Sequence, residues 1–321
     1  MFSIFADKGV YHDPFYRLNI RFHAWEQTLF KTTAVKRLKH LAHYGASSFV
    51  SPVTHTRYEH TTGVWVLTAH FFPNDPLLRA AAILHDLGHY PFSHTLEKPL
   101  GLDHHEETKR RIRSKEVRGV LQEAGLDAED VIRLLDEDSA LSHSKKGISI
   151  DHLDSFIRDT QMAGFGKLTP SDCIHRVRFI DGEVHTTEEV AIEVLERIAY
   201  DHSMYCHPLI LAIDHLLAEA VRQDKSIRQK VETYEIETDA DLLTALQQST
   251  VPQVQKMTEA LLHHPERIFI TKTKQDGAFY VSVRKTYLKK PYVNGKFYQN
   301  YTKSLSIPDA FYACMKEESV S

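Results

Sequence analysis

From about residue 24 to residue 262, apolar residues recur every three to four positions in this 321-residue chain, and neither an internal repeat nor a low-complexity linker interrupts them. That spacing buries one face of a helix at a time, so the chain has to fold as a mainly α protein. With 42% hydrophobic residues it can bury a substantial core, in one large domain or two modest ones. One helix is especially well marked. Asn74-Asp75-Pro76 supplies an N-cap and a proline at the first helical position, Leu77, Ala81 and Leu84 form an apolar stripe, and Gly88 with Pro91 ends it. His85 and Asp86 fall in the last turn, where the partial negative charge of a helix C-terminus favours a cation.

The preceding pattern, roughly 56–72, places His60, Val64, Leu67 and Phe71 on one face, so His60 points inward. Trp65, at helical spacing among valines and leucines, reads as core. Residues 148–163 form another amphipathic helix with Asp151 in its first turn, Asp154 and Arg158 spaced for an ion pair, and Gly164 and Gly166 terminating it. Thr186 with Glu189 looks like a capping box opening a helix to about Cys206, and His207-Pro208 restarts one through Val221. The tail differs in kind. Ile268 to Thr273 and Phe279 to Arg284 alternate like strands about Gln275-Asp276-Gly277, and Asn294-Gly295 signals a second hairpin. The expected architecture is a helical core over residues 1–222 and a small C-terminal α+β extension over 223–321, built as a β-meander that caps the structure.

Composition narrows the partners. A net charge of -4 and a pI near 6.6 give no electrostatic footprint for nucleic acid or an anionic membrane. No apolar run approaches membrane-spanning length, and Asp7 follows the start too soon for a signal peptide, so a cytoplasmic location is expected. Cys173, Cys206 and Cys314 lie far apart and read as buried thiols. The oddity is 21 histidines, which cluster at His85, His89 and His94 and again at His104 and His105.

The ordered set His60, His85-Asp86 and Asp151 resembles the H…HD…D pattern of the HD superfamily of metal-dependent phosphohydrolases. The likeness extends to the branch containing the deoxynucleoside triphosphate triphosphohydrolases. His55, Arg57, Tyr58, Glu59, His60, Gly63 and Val64 are similar to that branch's HxRFEHSxGV, and residues 81–94 resemble its AALLHDIGHGPFSH almost throughout. His105-Glu106 resembles the HE that follows, and Asp151, Asp154, Arg158 and Asp159 resemble DRxDYxxRD. Lys36-Arg37-Leu38 and Tyr205-Cys206-His207 are similar to its QRL and YxH. The match spans about residues 30 to 220.

The resemblance implies that His60, His85, Asp86 and Asp151 hold one divalent ion, which could be Mn, Fe, Ni, Co, Zn or Mg. It also implies that His105 gives a proton to the leaving oxygen, that Glu97 orients it, and that His89 occupies a catalytic position. Arg57 and His94 match phosphate-facing positions. Other HD phosphodiesterases and oxygenases recruit further histidines for a second ion, so His89 and His105 also admit a binuclear centre, although the motif text follows the mononuclear branch. Relatives in this branch often assemble as homo-oligomers.

Three positions depart from the pattern around the substrate. His152 stands where the branch has a phosphate-contacting lysine, Ser155 where a tyrosine lies beside the sugar, and His43 where a glutamine meets the sugar. A shorter side chain enlarges the pocket, and loss of a fixed cation weakens the case for a triphosphate. The basic run Lys109-Arg110-Arg111-Ile112-Arg113-Ser114-Lys115 reads as a solvated helix face, with Ile112, Val117, Val120 and Leu121 inward. The expected function is hydrolysis of a phosphate ester in a small molecule, nucleotides foremost, with no membrane or nucleic-acid partner. A phosphodiesterase, a nucleotide monophosphatase and a non-catalytic HD scaffold are the rivals.

Overall fold

The computed structural model describes residues 6–7, 9–142, 147–283, 289–301 and 310–316. Among these, fifteen α-helices carry the structure and three small sheets lie beside them. The organising element is the helix Arg57–Phe71, buried along most of its length from Arg57 to Ala69. A helix apolar on nearly every side belongs in the middle of a fold, and this one packs against both Pro76–Leu84 and Ile150–Met162. Its start is fixed by a capping box in which Thr56 Oγ1 accepts from Glu59 N at 3.3 Å and Glu59 Oε2 accepts from Thr56 N at 2.8 Å.

Asp75 caps Pro76–Leu84 by accepting from Leu78 N at 2.9 Å. The helix ends at Leu84, leaving His85 as its C-cap and Asp86 just beyond, so the pair lies at the helix end rather than inside its last turn. Ser149 caps Ile150–Met162, in which Arg158 and Asp154 form the expected ion pair at 2.9 Å. One cap moves. Thr187, not Thr186, opens Glu188–Tyr205, because Thr186 Oγ1 donates instead to the Arg176 carbonyl at 2.9 Å.

The buried apolar side chains form two clusters. The larger gathers Leu29, Val64, Leu67, Ile83, Leu84, Ile157 and Val194 around the central helix, each fully buried aliphatic contributing about 1.5–3 kcal/mol. Trp65 is core, as expected, and its Nε1 donates to Glu26 Oε1 at 2.7 Å. Arg79 donates to both oxygens of the same carboxylate at 2.7 Å, which satisfies these buried charges. The second cluster surrounds Pro208–Gln223 and takes Phe92 and Leu96 from the turn after His85-Asp86 and Val281 and Phe311 from the C-terminal strands.

The C-terminal strands form where the alternation places them but pair differently. Ile268–Thr271 and Phe279–Ser282 do not pair with each other; Ala310–Met315 lies between them, antiparallel to both. Arg284, the expected end of the second strand, is outside the described residues. The Asn294-Gly295 hairpin forms, joining Tyr292–Val293 to Lys296–Phe297, but it extends the Arg178–Ile180 and Glu183–His185 pair through a parallel contact of His185 with Tyr292. The tail is thus two separate sheets, one tied back to the helical core. No single helix among the described residues is long and apolar enough to cross a membrane.

Candidate active site

Three segments bring the sequence-selected donors together. His60 projects from the central helix, His85 and Asp86 from the end of Pro76–Leu84, and Asp151 from the first turn of Ile150–Met162. His60 Nε2 lies 3.1 Å from Asp151 Oδ1, 3.3 Å from His85 Nε2 and 3.9 Å from Asp86 Oδ2. His85 Nε2 lies 3.5 Å from Asp86 Oδ1 and 3.9 Å from Asp151 Oδ1. Ligands about 2.1 Å from one ion stand roughly 3.0–3.4 Å apart; the His60 contacts with Asp151 and His85 have that spacing, whereas both Asp86 contacts and the His85–Asp151 contact are wider.

The other ring nitrogens fix which face is offered. His60 Nδ1 donates to Asp154 Oδ2 at 2.8 Å and His85 Nδ1 donates to the Ala82 carbonyl at 3.0 Å. In the neutral tautomers both Nε2 lone pairs therefore point into the cluster, the arrangement in which histidines ligate metals. Burial opposes a charge on His60, yet hydrogen bonds to Asp151 and Asp154 outweigh it and raise its pKa to about 10. The cluster is short of positive charge, which a proton satisfies on His60 and a divalent cation would satisfy more fully. Burial also works against the Asp86 carboxylate, but His85, Arg57 and His89 hold its pKa well below the usual range. The residues present fit a metal.

Past Asp86 the chain makes a turn that recruits the remaining groups. Phe92 and Ser93 both take left-handed backbone conformations, with φ of 56° and 53°, which non-glycine residues seldom adopt outside functional turns. The turn lets Ser93 Oγ accept from Arg57 Nε at 2.8 Å and donate to the Ala42 carbonyl at 2.6 Å. Arg57 also donates from Nη1 to Asp86 Oδ2 at 2.9 Å and from Nη2 to the His43 carbonyl at 3.2 Å. It lines the cavity, but its guanidinium is held against Asp86 rather than free for a phosphate.

The helix His104–Ile112 docks on this turn through Thr108, whose hydroxyl accepts from Gly88 N at 2.9 Å and donates to the His85 carbonyl at 3.2 Å. A Cβ at Gly88 would collide with the His104 carbonyl and Thr108 N, so only glycine allows this approach. His89 Nε2 lies 3.2 Å from Asp86 Oδ1, while its Nδ1 faces Glu97 Oε1 at 3.5 Å. Burial and the Arg57 charge lower the His89 pKa to about 3, keeping the ring neutral. One expectation is corrected here. Glu97 approaches His104 Nδ1 at 3.0 Å and His94 Nδ1 at 3.1 Å, not His105, whose exposed ring lies tilted at 37° beside that of His104, 3.9 Å between centroids. His104 was missed because the motif text matches only its neighbour.

A cavity of about 470 Å³ opens over His85, Asp86 and Asp151 and is lined by His94, His104, His105 and Lys109 and by His43, Tyr44, Asp159, Asp201 and Asp214. His152 and Ser155 line it as well, and His152 Nδ1 lies 2.7 Å from Ser149 Oγ. Asp159 and Asp201 are deeply buried. Burial and Asp201 push the Asp159 pKa well up, and burial, only partly offset by the Tyr44 hydroxyl, raises that of Asp201 to about 7. Among the described lining residues the lysine and arginine are Lys109 and Arg57, and Lys109 pairs with Glu106 and Asp136 at 2.9 Å each. In the basic run, Ile112, Val117, Val120 and Leu121 point inward as expected.

Residues 57–160 match the HD domain family. The chain is 25% identical over 252 residues to an uncharacterized protein, YwfO, of Bacillus subtilis, covering 70% of this chain and 58% of that protein. It is 29% identical over 169 residues to an uncharacterized MG461 homolog of Mycoplasma pneumoniae, 44% of this chain and 40% of the other. A Dictyostelium discoideum protein named deoxynucleoside triphosphate triphosphohydrolase SAMHD1 homolog is 23% identical over 274 residues, 70% of this chain and 52% of the other. The chain thus spans about half the length of the curated relatives it matches. A solved structure of a hypothetical protein from Aquifex aeolicus superposes with a TM-score of 0.72 over 95% of both chains at 21% identity, and so shares the fold.

Proposed function

We propose that this chain, which carries an HD domain over residues 57–160, is a metal-dependent phosphohydrolase that cleaves a phosphate ester of a nucleotide. The observation that carries this reading is the approach of His60 Nε2 to His85, Asp151 and Asp86 and of His85 Nε2 to Asp86 and Asp151, with both histidines held at Nδ1 so that Nε2 faces the carboxylates. A divalent ion held there supplies a Lewis acid for a phosphoryl oxygen and lowers the pKa of the attacking water. Asp154 keeps the His60 ring in the ligating tautomer, and Arg57 holds Asp86 from the opposite side. In this reading His105, exposed at the cavity, protonates the leaving oxygen, and Glu97 acts by positioning His104, beside which the His105 ring lies. Support for a nucleotide comes from the name of the Dictyostelium relative and from the resemblance of the central motifs.

A second reading within the same chemistry has its own observation. Both cations that line the cavity are already paired, and His152 and Ser155 replace the usual lysine and tyrosine, so a substrate with a single phosphate group suits this lining. A hydrolysis screen of nucleoside mono-, di-, tri- and cyclic phosphates across Mn, Co, Ni, Zn and Mg separates them by product. Triphosphohydrolysis releases tripolyphosphate, whereas a monophosphatase releases orthophosphate alone. His85→Ala and Asp86→Ala should each abolish metal retention and hydrolysis; unchanged turnover in either variant sinks the proposal.

A further inference from the structure

The turn after Asp86 assembles a second group of donors on the far side of the His89 ring. Glu97 opens a short helix, His94 lies in the 3-10 turn before it, His104 begins the next helix, and His89 comes from the turn itself. One ligand atom from each of these four residues lies within 4.8 Å of every other. All three imidazoles approach the same carboxylate through Nδ1: His94 at 3.1 Å to Oε2, His104 at 3.0 Å and His89 at 3.5 Å to Oε1.

Hydrogen bonding accounts for only part of this. The His94 approach has hydrogen-bond geometry, but Glu97 Oε1 and His89 Nδ1 are buried atoms without a hydrogen-bond partner, despite the short distances around them. His89 is 1% exposed, and its Nε2 is within reach of Asp86 Oδ1 at 3.2 Å. These two orphaned atoms, a ring nitrogen and a carboxylate oxygen, face each other at 3.5 Å, and a cation between them would satisfy both. His94 is half-exposed at the cavity, so an ion has a path in and open positions toward substrate.

We infer that His89 Nδ1, His94, His104 and Glu97 form a second divalent-cation site, separate from the His60–His85–Asp86–Asp151 centre. Three imidazoles and one carboxylate suit a borderline ion such as Zn or Co. The two sites share no ligand atom. The His89 ring stands between them with Nε2 toward Asp86 and Nδ1 toward the second ion, unlike the arrangement in which two metals about 3.5–4 Å apart clamp one phosphate. On the functional reading above, this ion supplies the positive charge that the paired Arg57 and Lys109 do not. Of the two histidines that the sequence offered for a binuclear centre, His89 takes part and His105 does not.

Metal content and Co²⁺ titration of the full chain test this without reference to activity. The wild type should bind two equivalents. His94→Ala/His104→Ala should bind one, His85→Ala should bind the other, and His94→Asn, which changes only a half-exposed ring, should weaken the second equivalent at least tenfold while leaving the first. A wild type that binds one equivalent, lost in His85→Ala and kept in His94→Ala/His104→Ala, overturns the second site and leaves the phosphohydrolase reading standing. Loss of both ions from a double variant with native circular dichroism also overturns it, because the cluster would then have no site of its own.

Discussion

Asp154 shows how one buried carboxylate does several things at once. It accepts from His60 Nδ1 at 2.8 Å, from the Tyr16 hydroxyl at 2.7 Å and from Arg158 Nε and Nη2 at 2.9 Å each, with no exposure to solvent. The sequence makes the Asp154–Arg158 spacing legible as an ion pair, but not the tie to His60, because that contact joins two helices 94 positions apart. Asp154→Asn keeps the shape and removes the charge that orients the ring. It should lower metal affinity by about 10- to 100-fold, read by Co²⁺ titration; an unchanged affinity would reduce Asp154 to a structural partner of Arg158. Asp201 makes a different prediction. Its ordinary pKa of 3.8 is raised in the fold to about 7, so the folded state holds a proton that the unfolded state releases at lower pH. Stability from this group is therefore present at pH 4, falls as pH rises from about 4 to 7, and is flat above that. Asp201→Asn should be level with the wild type near pH 4 and gain in Tm over it up to pH 7. A Tm difference independent of pH would mean that Asp201 ionises normally.

At the scale of elements, the helices that carry the candidate ligands were readable because their signals are local. The Asp75-Pro76 start and the apolar stripes each lie within one or two turns, and each forms. Of the C-terminal sheets the sequence shows two strands and the Asn294-Gly295 hairpin, but not the partners they take. Gln275-Asp276-Gly277 suggests a hairpin, but Ala310–Met315 contributes buried Phe311 and Ala313 and pairs on both edges, so the two flanking strands gain more by accepting it than by pairing with each other. Such a partner, some 30 residues downstream of one strand and 40 of the other, leaves no trace in a hairpin pattern. The contact between helices 57–71 and 150–162 shows where a single atom decides the geometry. A Cβ on Gly63 would run into Asp154 Oδ1 and Arg158 Nη2, atoms that are locked by their hydrogen bonds and cannot yield cheaply. Gly63→Ala should cost about 1–3 kcal/mol by overpacking and also weaken metal binding, because the displaced carboxylate is the one that orients His60. Thermal unfolding and Co²⁺ titration together check this; a destabilised variant with unaltered affinity would separate the two effects.

The whole molecule depends on a junction where its two apolar clusters meet, at the turn after His85-Asp86. Arg37, 6% exposed, donates from Nη2 to the Leu87 carbonyl at 2.8 Å and the His89 carbonyl at 2.7 Å, and from Nη1 to the Glu237 carbonyl at 2.7 Å. Two residues further on, Asp239 accepts from Ala42 N at 2.7 Å and from Phe92 N at 2.6 Å. The segment leading into the helix Asp239–Gln247 is thus tied to the same loop that carries His89 and leads into His94, and Phe92 and Leu96 from that loop are buried in the second cluster. The turn that carries the left-handed Phe92 and Ser93 is thus packed on the second cluster through Phe92 and Leu96. Arg37→Ala removes the donor to the buried Leu87 and His89 carbonyls and to the part-buried Glu237 carbonyl, a loss of about 1–3 kcal/mol for each that water cannot reach. The wild type should therefore unfold in one transition. Arg37→Ala should split it, with the Pro208–Gln223 cluster melting first and the metal released at that first step rather than the second. Calorimetry with the metal followed by a colorimetric chelator distinguishes the outcomes, and metal retained until the second transition would show that the HD ligands hold their geometry without the junction.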